Sequence, residues 1–564
     1  MNVPTASGAL TRNEELKSGC PTLAGTIAAT LADPAQDHFS HDDYEFLKFH
    51  GIYQQDDRDL RKSGKKYIFM VRGRIPGGVM TARQWLAFDE LSSRYGNNTL
   101  RITTRQSIQF HGVVKAGLRP LVKGINDCLL STLAACGDVN RNVMAPPTPA
   151  YTPARAEVLA DCQQVAEALK PRTRAYHTIW VEGVELDLND PLNHDFVDPL
   201  YGRGYLPRKF KTGFVIPPIN DIDILTNDLG FIAIVENDRL VGYNLAVGGG
   251  MGRSHGNEQT YPRLADVLGF VPREKVVEVA KAVLTIHRDF GDRTNRKHAR
   301  LKYVVAERGL EWTRAEVEAR AGFRLEPARP FFFTTTGDLL GWHRQVDGHW
   351  FFTVYIESGR VKDTPQLRLK SALRCIAERW PELEFRLTPN QNLILANVPE
   401  SVRAEVDTLL REHGVRTERQ TTPLRAAALS CPALPTCGLA LAESERILPS
   451  VLDRLEAVVA QLGLQGEEII LRMTGCPNGC ARPYMAEIGL VGKAPGRYQL
   501  WVGGNVAGTR LNRLWKDTVK DTELEAELRA LLEQYVRDRL PGERFGDWAV
   551  RVLWPQLASP LPAA

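Results

Sequence analysis

The stretch YIFMVRGRIPGG (residues 67–78), with TARQWLAFDELSSRYG (81–96) and TLRITTRQSIQFHGV (99–113) behind it, decides the fold. The first piece is β-branched and aromatic and stops at Pro and Gly, the second is helix-like, and the third reads as a strand again. The same order returns in HWFFTVYIESGRV (349–361), LRLKSALRCIAERW (367–380) and ELEFRLTPNQNLILANV (382–398). Setting Leu100-Arg101-Ile102-Thr103 against Phe385-Arg386-Leu387-Thr388 brings Gln106 opposite Gln391, with apolar positions in register on both sides. An offset of roughly 285 residues is far beyond a solenoid period and marks a duplicated half-protein. Chance likeness between two strand-helix-strand units is the bland alternative.

Each copy leads into a longer mixed region. After the first come the helix-like ARAEVLADCQQVAEAL, the strands FKTGFVIPP and GFIAIVEN, and glycines 248–250; after the second come CGLALAESERILPSVLDRLEAVVAQL, the strand EEIILRM, and YQLWVGG ending at Gly503 and Gly504. The expected class is mixed α+β (α/β), internally duplicated about a pseudo-twofold axis, with Pro327 to Pro330 at the junction. The expected divisions are an N-terminal arm (1–66), a half-repeat (67–145), an α/β domain (146–330), a second half-repeat (331–421) and a second α/β domain (422–564). Such a molecule places its ligand at the shared central interface.

Composition bounds the function. The 564 residues are 43% hydrophobic and 24% charged, with a formal charge of +4. That balance argues against a surface built for nucleic acid or anionic membrane, so a basic site has to be local. No run has the length of a membrane span, and the opening MNVPTASGALTRNEELKSGC lacks the order of a signal peptide. The expected setting is cytoplasmic.

Four of the nine cysteines gather near the C-terminus: Cys431 and Cys437 as C-x5-C, Cys476 and Cys480 as C-x3-C within TGCPNGC. Four thiolates suit zinc or an iron-sulfur cluster, and the five-residue gap fits zinc knuckles poorly. Unligated core cysteines are a third reading. Gly475 and Gly479 permit backbone amides to approach sulfur.

Positive charge is knotted beside these units at Arg72, Arg101, Arg105, Arg141, Arg208, Lys209, Lys211 and Arg300. Any single knot reads as a solvated face. Lys209 and Lys211, however, alternate in an apolar segment and point the same way, a repulsion that a bound anion relieves. Arg105, Gln109 and His111 likewise give one strand a polar face. The GGGMG run at 248–252 lacks a dinucleotide fingerprint, and no Walker-type loop occurs, so electrons for any redox chemistry come from another chain.

C-x5-C followed by TGCPNGC, together with RQSIQFHG, NRNV, LPRKFKT and LVGKAPGRYQLWVGG, resembles the sirohaem and 4Fe-4S sulfite/nitrite reductase family from about Phe49 almost to the C-terminus. The segment QQDDRD narrows the likeness to its NADPH-dependent branch. The resemblance implies ferredoxin-like half-repeats and two domains that bind sirohaem and the cluster. It implies that Cys431, Cys437, Cys476 and Cys480 hold the cluster and that Cys480 also bridges to the sirohaem iron. Arg101, Arg105, Gln109, His111, Arg208, Arg300 and Asn478 would contact sirohaem; the family has Lys where Arg300 stands, which keeps the charge and changes the donor geometry. Arg72, Arg141, Lys209 and Lys211 would bind the anion and donate protons. The implied reaction is six-electron reduction of sulfite to sulfide, with electrons from NADPH through a flavoprotein subunit carrying FAD and FMN, docked through the N-terminal arm. Neither nucleic acid nor membrane is an expected partner. The alternatives are nitrite reduction at the same centres, which Lys211 disfavours because nitrite-reducing relatives tend to have Asn there, and a zinc-stabilised binding module.

Overall fold

The computed structural model describes residues 8–149, 153–173, 180–181, 184–185, 197–416 and 420–557. The first half-repeat contains β1 (Ile52–Asp56), β2 (Tyr67–Arg72), β3 (Val79–Thr81), a helix (Ala82–Tyr95), β4 (Leu100–Ile102) and β5 (Ile108–Val113). The helix starts at a capping box in which Thr81 accepts from the Gln84 amide and Gln84 reaches back, and it buries Trp85, Phe88 and Leu91 at helical spacing. Beyond it, β6 (Trp180–Val181) and β7 (Val184–Glu185) form a short ribbon, and β8 (Thr212–Val215), β9 (Leu229–Glu236), β10 (Arg239–Val247) and β11 (Asp266–Pro272) form a sheet in the order β11-β10-β9-β8.

The second copy repeats the plan: β12 (Gly341–Arg344), β13 (Trp350–Val354), β14 (Arg360–Val361), a helix (Leu369–Arg379), β15 (Glu384–Leu387) and β16 (Leu393–Val398), then β17 (Leu429–Ser430), β18 (Leu471–Thr474), β19 (Ile488–Ala494), β20 (Arg497–Val502) and β21 (Arg513–Lys520) in one sheet. The register repeats as well. Thr212 pairs with Leu229 in the parallel β8–β9 ladder, and Leu471, at the same spacing, pairs with Ile488 in β18–β19.

The half-repeats exchange strands. Their sheets run β1-β2-β5-β4-β14 and β12-β13-β16-β15-β3, so each takes its last strand from the other copy. Both crossings are tight. A Cβ on Gly78 (φ +73°) would lie 2.8 Å from the Leu387 carbonyl, and one on Gly359 (φ +72°) would lie 2.2 Å from that of Ile102. The paired glutamines have the same job in each copy: Gln106 bonds both backbone groups of Ala145 (3.0 and 2.8 Å), and Gln391 bonds both of Ser430 (3.3 and 3.0 Å). One core runs through both half-repeats, with Trp85 stacked on Phe385 at 5.1 Å, and separate cores fill the two α/β regions.

Two stretches depart from expectation. The span expected as an arm contains helices Arg12–Gly19, Ile27–Ala32 and His41–Phe49, places Leu23, Phe46 and Phe49 in the first α/β core, and supplies β1 to the first sheet. Its polar residues hid this because they lie between buried apolar ones. The stretch from Cys437, which follows the second copy as the helix-like stretch follows the first, turns helical only at Leu448, where Pro449 suits the first turn. Among the described residues no helix is long and apolar enough to cross a membrane.

Candidate active site

The four cysteines sit on two loops at the ends of adjacent parallel strands. Cys431 directly follows β17, and Cys476 stands two residues beyond β18. Gly475 has no room for a side chain, since a Cβ would lie 2.5 Å from both Ala433 and the Ala442 carbonyl; its amide donates to Cys431 Sγ at 3.3 Å. Asn478 Nδ2 donates to Cys476 Sγ at 3.4 Å. Burial, with the neighbouring thiols adding to it, pushes Cys431 well above the usual thiol value, raises Cys437, and brings Cys476 to about 11. Among the described residues no three His, Cys, Asp or Glu side chains converge closely enough for one metal ion. The four thiols still feel one another's charge, so they ring a wider volume, which suits a polynuclear iron-sulfur cluster that would accept them as thiolates.

Cys480 is the exposed member of the four. It faces the cations. Lys209 and Lys211 flank Phe210, which is fully buried and tied by its backbone to Val139 and Arg141, and this turns both ammonium groups to the opposite side. Each senses the Cys480 sulfur. Burial, then Arg208 and Arg300, lowers Lys209 to about 7; burial, then Arg105 and Lys209, takes Lys211 well below the ordinary lysine value. Among the described residues neither ammonium has a hydrogen-bond or ion-pair partner, and the Arg105 Nε is likewise unsatisfied although buried. Arg105 otherwise donates to Asn227 Oδ1 (2.9 Å) and the Asn142 carbonyl (2.6 Å), and burial beside Arg141 lowers it to about 9. Half-buried cations without counter-ions among the described residues mark a place for an anionic ligand.

Arg72 and Arg141 stand on the same side. Arg72 donates to Cys136 Sγ (3.1 Å) and to the Gln109 side-chain oxygen, and Arg141 donates to the carbonyls of Gly137 (2.7 Å) and Ala135 (3.4 Å). Arg208 lies 4.0 Å from Asp138, and burial, opposed by that carboxylate, leaves it at about 10.

Two of the expected cofactor contacts, Arg101 and Arg300, are paired with protein carboxylates. Arg101 pairs with Glu445 (2.8 Å) and donates to the Ser430 carbonyl next to Cys431; Arg300 grips buried Asp228 through two short bonds (2.8 and 3.0 Å). His111 is buried against the Arg101–Glu445–Arg360 group, and burial together with Arg360 holds it well below the ordinary histidine value, hence neutral.

Sequence reasoning missed the acids that fix these cations, Asp138, Asp228 and Glu445, because nothing local distinguishes them from surface acids. Lys302, one of the basic residues that cluster with Arg300 in the sequence, is fully buried and takes the carbonyls of Gly250 (3.2 Å) and Gly252 (2.9 Å), bracing the GGGMG turn. One signal was present. Arg58 of QQDDRD donates to the Ala440 carbonyl (2.6 Å), and its amide reaches that of Pro435 (3.3 Å), so this segment clasps the C-x5-C loop.

Asp138 holds Lys17 (3.5 Å), Arg296 (2.7 Å) and Arg208 together. These cations keep its carboxyl below the usual range against the opposing effect of burial. A depressed folded value stabilises above the free value, about 3.9, and that contribution is lost as pH falls through the folded one. Asp138→Asn is therefore expected to lose about 3–5 kcal/mol. Hydrogen exchange over residues 12–19 and 206–212 checks this: faster exchange at pH 7 in the variant, and in the native chain only below about pH 4.

Comparison with known proteins adds a finding to this geometry. The family model for the nitrite and sulphite reductase 4Fe-4S domain matches residues 136–325, and that for the nitrite/sulfite reductase ferredoxin-like half domain matches 61–128 and 343–413. A protein of Myxococcus xanthus described as sulfite reductase (NADPH) hemoprotein beta-component is 50% identical over 548 residues, 96% of each chain. Its Geobacillus kaustophilus namesake is 48% identical over 544 residues, 95% of each. Among solved structures, Mycobacterium tuberculosis NirA protein superposes with a TM-score of 0.78 at 23% identity over 96% of each chain, a likeness of fold.

Proposed function

Since the chain belongs to the nitrite and sulphite reductase family, we propose that it is the haemoprotein component of an assimilatory, NADPH-driven sulfite reductase, taking sulfite to sulfide. The observation that carries this reading is the electrostatic coupling of Cys480 to lysines 209 and 211, whose ammonium groups have no partner among the described residues; it joins a cluster-type thiol set to an anion-type cation wall.

Cys431, Cys437, Cys476 and Cys480 would hold the 4Fe-4S cluster, Cys480 would also serve the sirohaem, and Arg105 and Arg208 would offset the sirohaem carboxylates. When bound, the two centres would supply the electrons and an iron site for the reduction. The chain supplies the rest. Arg72 and Arg141 offer planar guanidinium forks that orient the sulfite oxygens. Removing three oxygens as water takes six protons, and Lys209, already near neutrality, gives up its proton more readily than an ordinary lysine. Lys211 works beside it once an anion restores its charge. Neutral His111 stays behind Gln109 as a structural support.

The electron donor is a flavoprotein partner, and its FAD and FMN carriers are part of this proposal. Lys62, Lys65 and Lys66 are exposed on the N-terminal segment whose Arg58 clasps the C-x5-C loop, where Leu439 stands 65% exposed two residues from Cys437. An acidic flavin domain fits there. A cytoplasmic setting, which keeps such thiols reduced, completes the reading.

Anaerobic reduction of the purified holoprotein, with and without the flavoprotein and NADPH, followed by sulfide assay, tests donor and product together. Sulfide in the presence of both is the expected result; a colourless protein without acid-labile sulfide overturns the reading. Comparing kcat/KM for sulfite and nitrite at equal reductant supply tests the preference that Lys211 supports.

A further inference from the structure

The duplication shows where its own axis runs. The spacing that sets Thr212 on Leu471 and Leu229 on Ile488 carries Asp223 onto Arg482, and the offset that sets Gln106 on Gln391 carries Thr104 onto Pro389. Asp223 and Arg482 both stand in the left-handed region (φ +49° and +56°) ahead of a single helical turn, Ile224–Thr226 in one copy and Pro483–Met485 in the other. Thr104 and Pro389 lie in matching turns, between β4 and β5 and between β15 and β16. Equivalent bonds close these turns, from the Thr103 amide to the Ser107 carbonyl and from the Thr388 amide to that of Asn392 (2.9 Å each).

All four positions meet at one guanidinium. Arg482 donates from Nε to Asp223 Oδ2 (2.5 Å), from Nη1 to the Thr104 carbonyl and from Nη2 to the Pro389 carbonyl (3.2 Å each). A group bonded to its own counterpart and to a matched pair of carbonyls lies on the axis. Asp223 Oδ2 also accepts from buried Arg472 Nη1 (2.6 Å), at whose counterpart position stands Gly213. In a dimer of identical chains a charged residue on the axis meets its own copy and is repelled. A single duplicated chain is free of that constraint, and this one places an acid in the first copy and a base in the second.

The pair reaches the candidate site from behind. Arg482 stands two residues beyond Cys480, and left-handed backbone at a residue other than glycine persists only where its surroundings over-determine it. Thr104, whose carbonyl Arg482 takes, donates its own Oγ1 to the Cys480 carbonyl (3.0 Å) and is followed directly by Arg105 of the cation wall. Arg482, Thr104 and the chain from Cys480 to Arg482 thus form a closed ring that ties the Cys480 loop to the turn bearing Arg105. Resting on the function given above, we propose that Asp223 and Arg482 are positioning residues for that reaction: clamped on the pseudo-twofold axis, they set the Cys480 sulfur against the cation wall. Each acts through Thr104 and the Cys480 loop.

Arg482→Lys and Thr104→Val, purified as holoproteins, test this. Lysine keeps the buried charge beside Asp223 and loses the planar fork that takes both carbonyls; valine keeps the shape of Thr104 without its hydroxyl. Both variants are expected to bind both cofactors in native amount, with a displaced absorption spectrum and cluster midpoint potential. Their kcat is expected to fall about 10-fold, with KM for sulfite within about twofold of native. A native spectrum, potential and kcat in either variant would overturn the proposal, and lower heat stability beside those native values would show a clamp that serves the fold alone. Should Arg482→Lys not fold, Thr104→Val decides by the same readouts. A native protein that lacks the tetrapyrrole or releases no sulfide refutes the function instead, and is recognised before any variant is compared.

Discussion

Cys480→Ser is expected to abolish sulfite reduction and to disturb the spectra of both the tetrapyrrole and the cluster. Of the other three sulfurs, Cys431 receives the Gly475 amide and Cys476 the Asn478 side chain, so protein donors brace them. Cys480 is the exposed thiol between the two sets, with its own carbonyl fixed by Thr104 Oγ1 at 3.0 Å. A serine oxygen is harder than a thiolate and a poor match for iron-sulfur chemistry. Full turnover in a variant loaded with both cofactors would remove the bridging role. Loss of activity with an unchanged spectrum would place Cys480 in the anion site instead.

Lys209→Ala and Lys211→Ala are each expected to lower sulfite turnover about 10²-fold or more while leaving the cofactor spectrum near native. Their ammonium groups have no protein partner to leave orphaned among the described residues, so removing one costs the fold little. In fact it relieves repulsion from Arg208, Arg300 and Arg105. Stability equal to or above that of the native chain, with lost activity, is the signature of a group kept for chemistry. Unchanged kinetics would remove either residue from the site. Arginine at 209 is expected to rescue sulfite binding without restoring kcat, because a guanidinium keeps its proton.

How far the sequence carries depends on where the determining contact lies. Alternation placed Gln109 and His111 on one face of β5, and the Gln106–Gln391 pairing foretold a duplication whose two glutamines make equivalent bonds. The cysteine spacing was legible for the same reason: its loops close over short stretches of chain. The strand exchange was not, because β3 and β14 are three and two residues long, and each finds its partner about 300 or 260 residues away. Nor was the commitment of Arg101 to Glu445 and of Arg300 to Asp228. A basic residue reads alike whether its partner is a carboxylate of the same chain or a ligand, and only the fold tells which.

The exchange of β3 and β14 has a consequence for biosynthesis. When the ribosome has delivered residues 1–330, the first sheet still presents β4 as an open edge, since Arg360 and Val361, which pair with Arg101 and Leu100, have not emerged. An unfilled edge is the feature by which nascent chains pair wrongly with one another. The half made first thus waits on the second. Severing the chain between the copies is expected to yield two pieces that are each insoluble alone and recover only when made together.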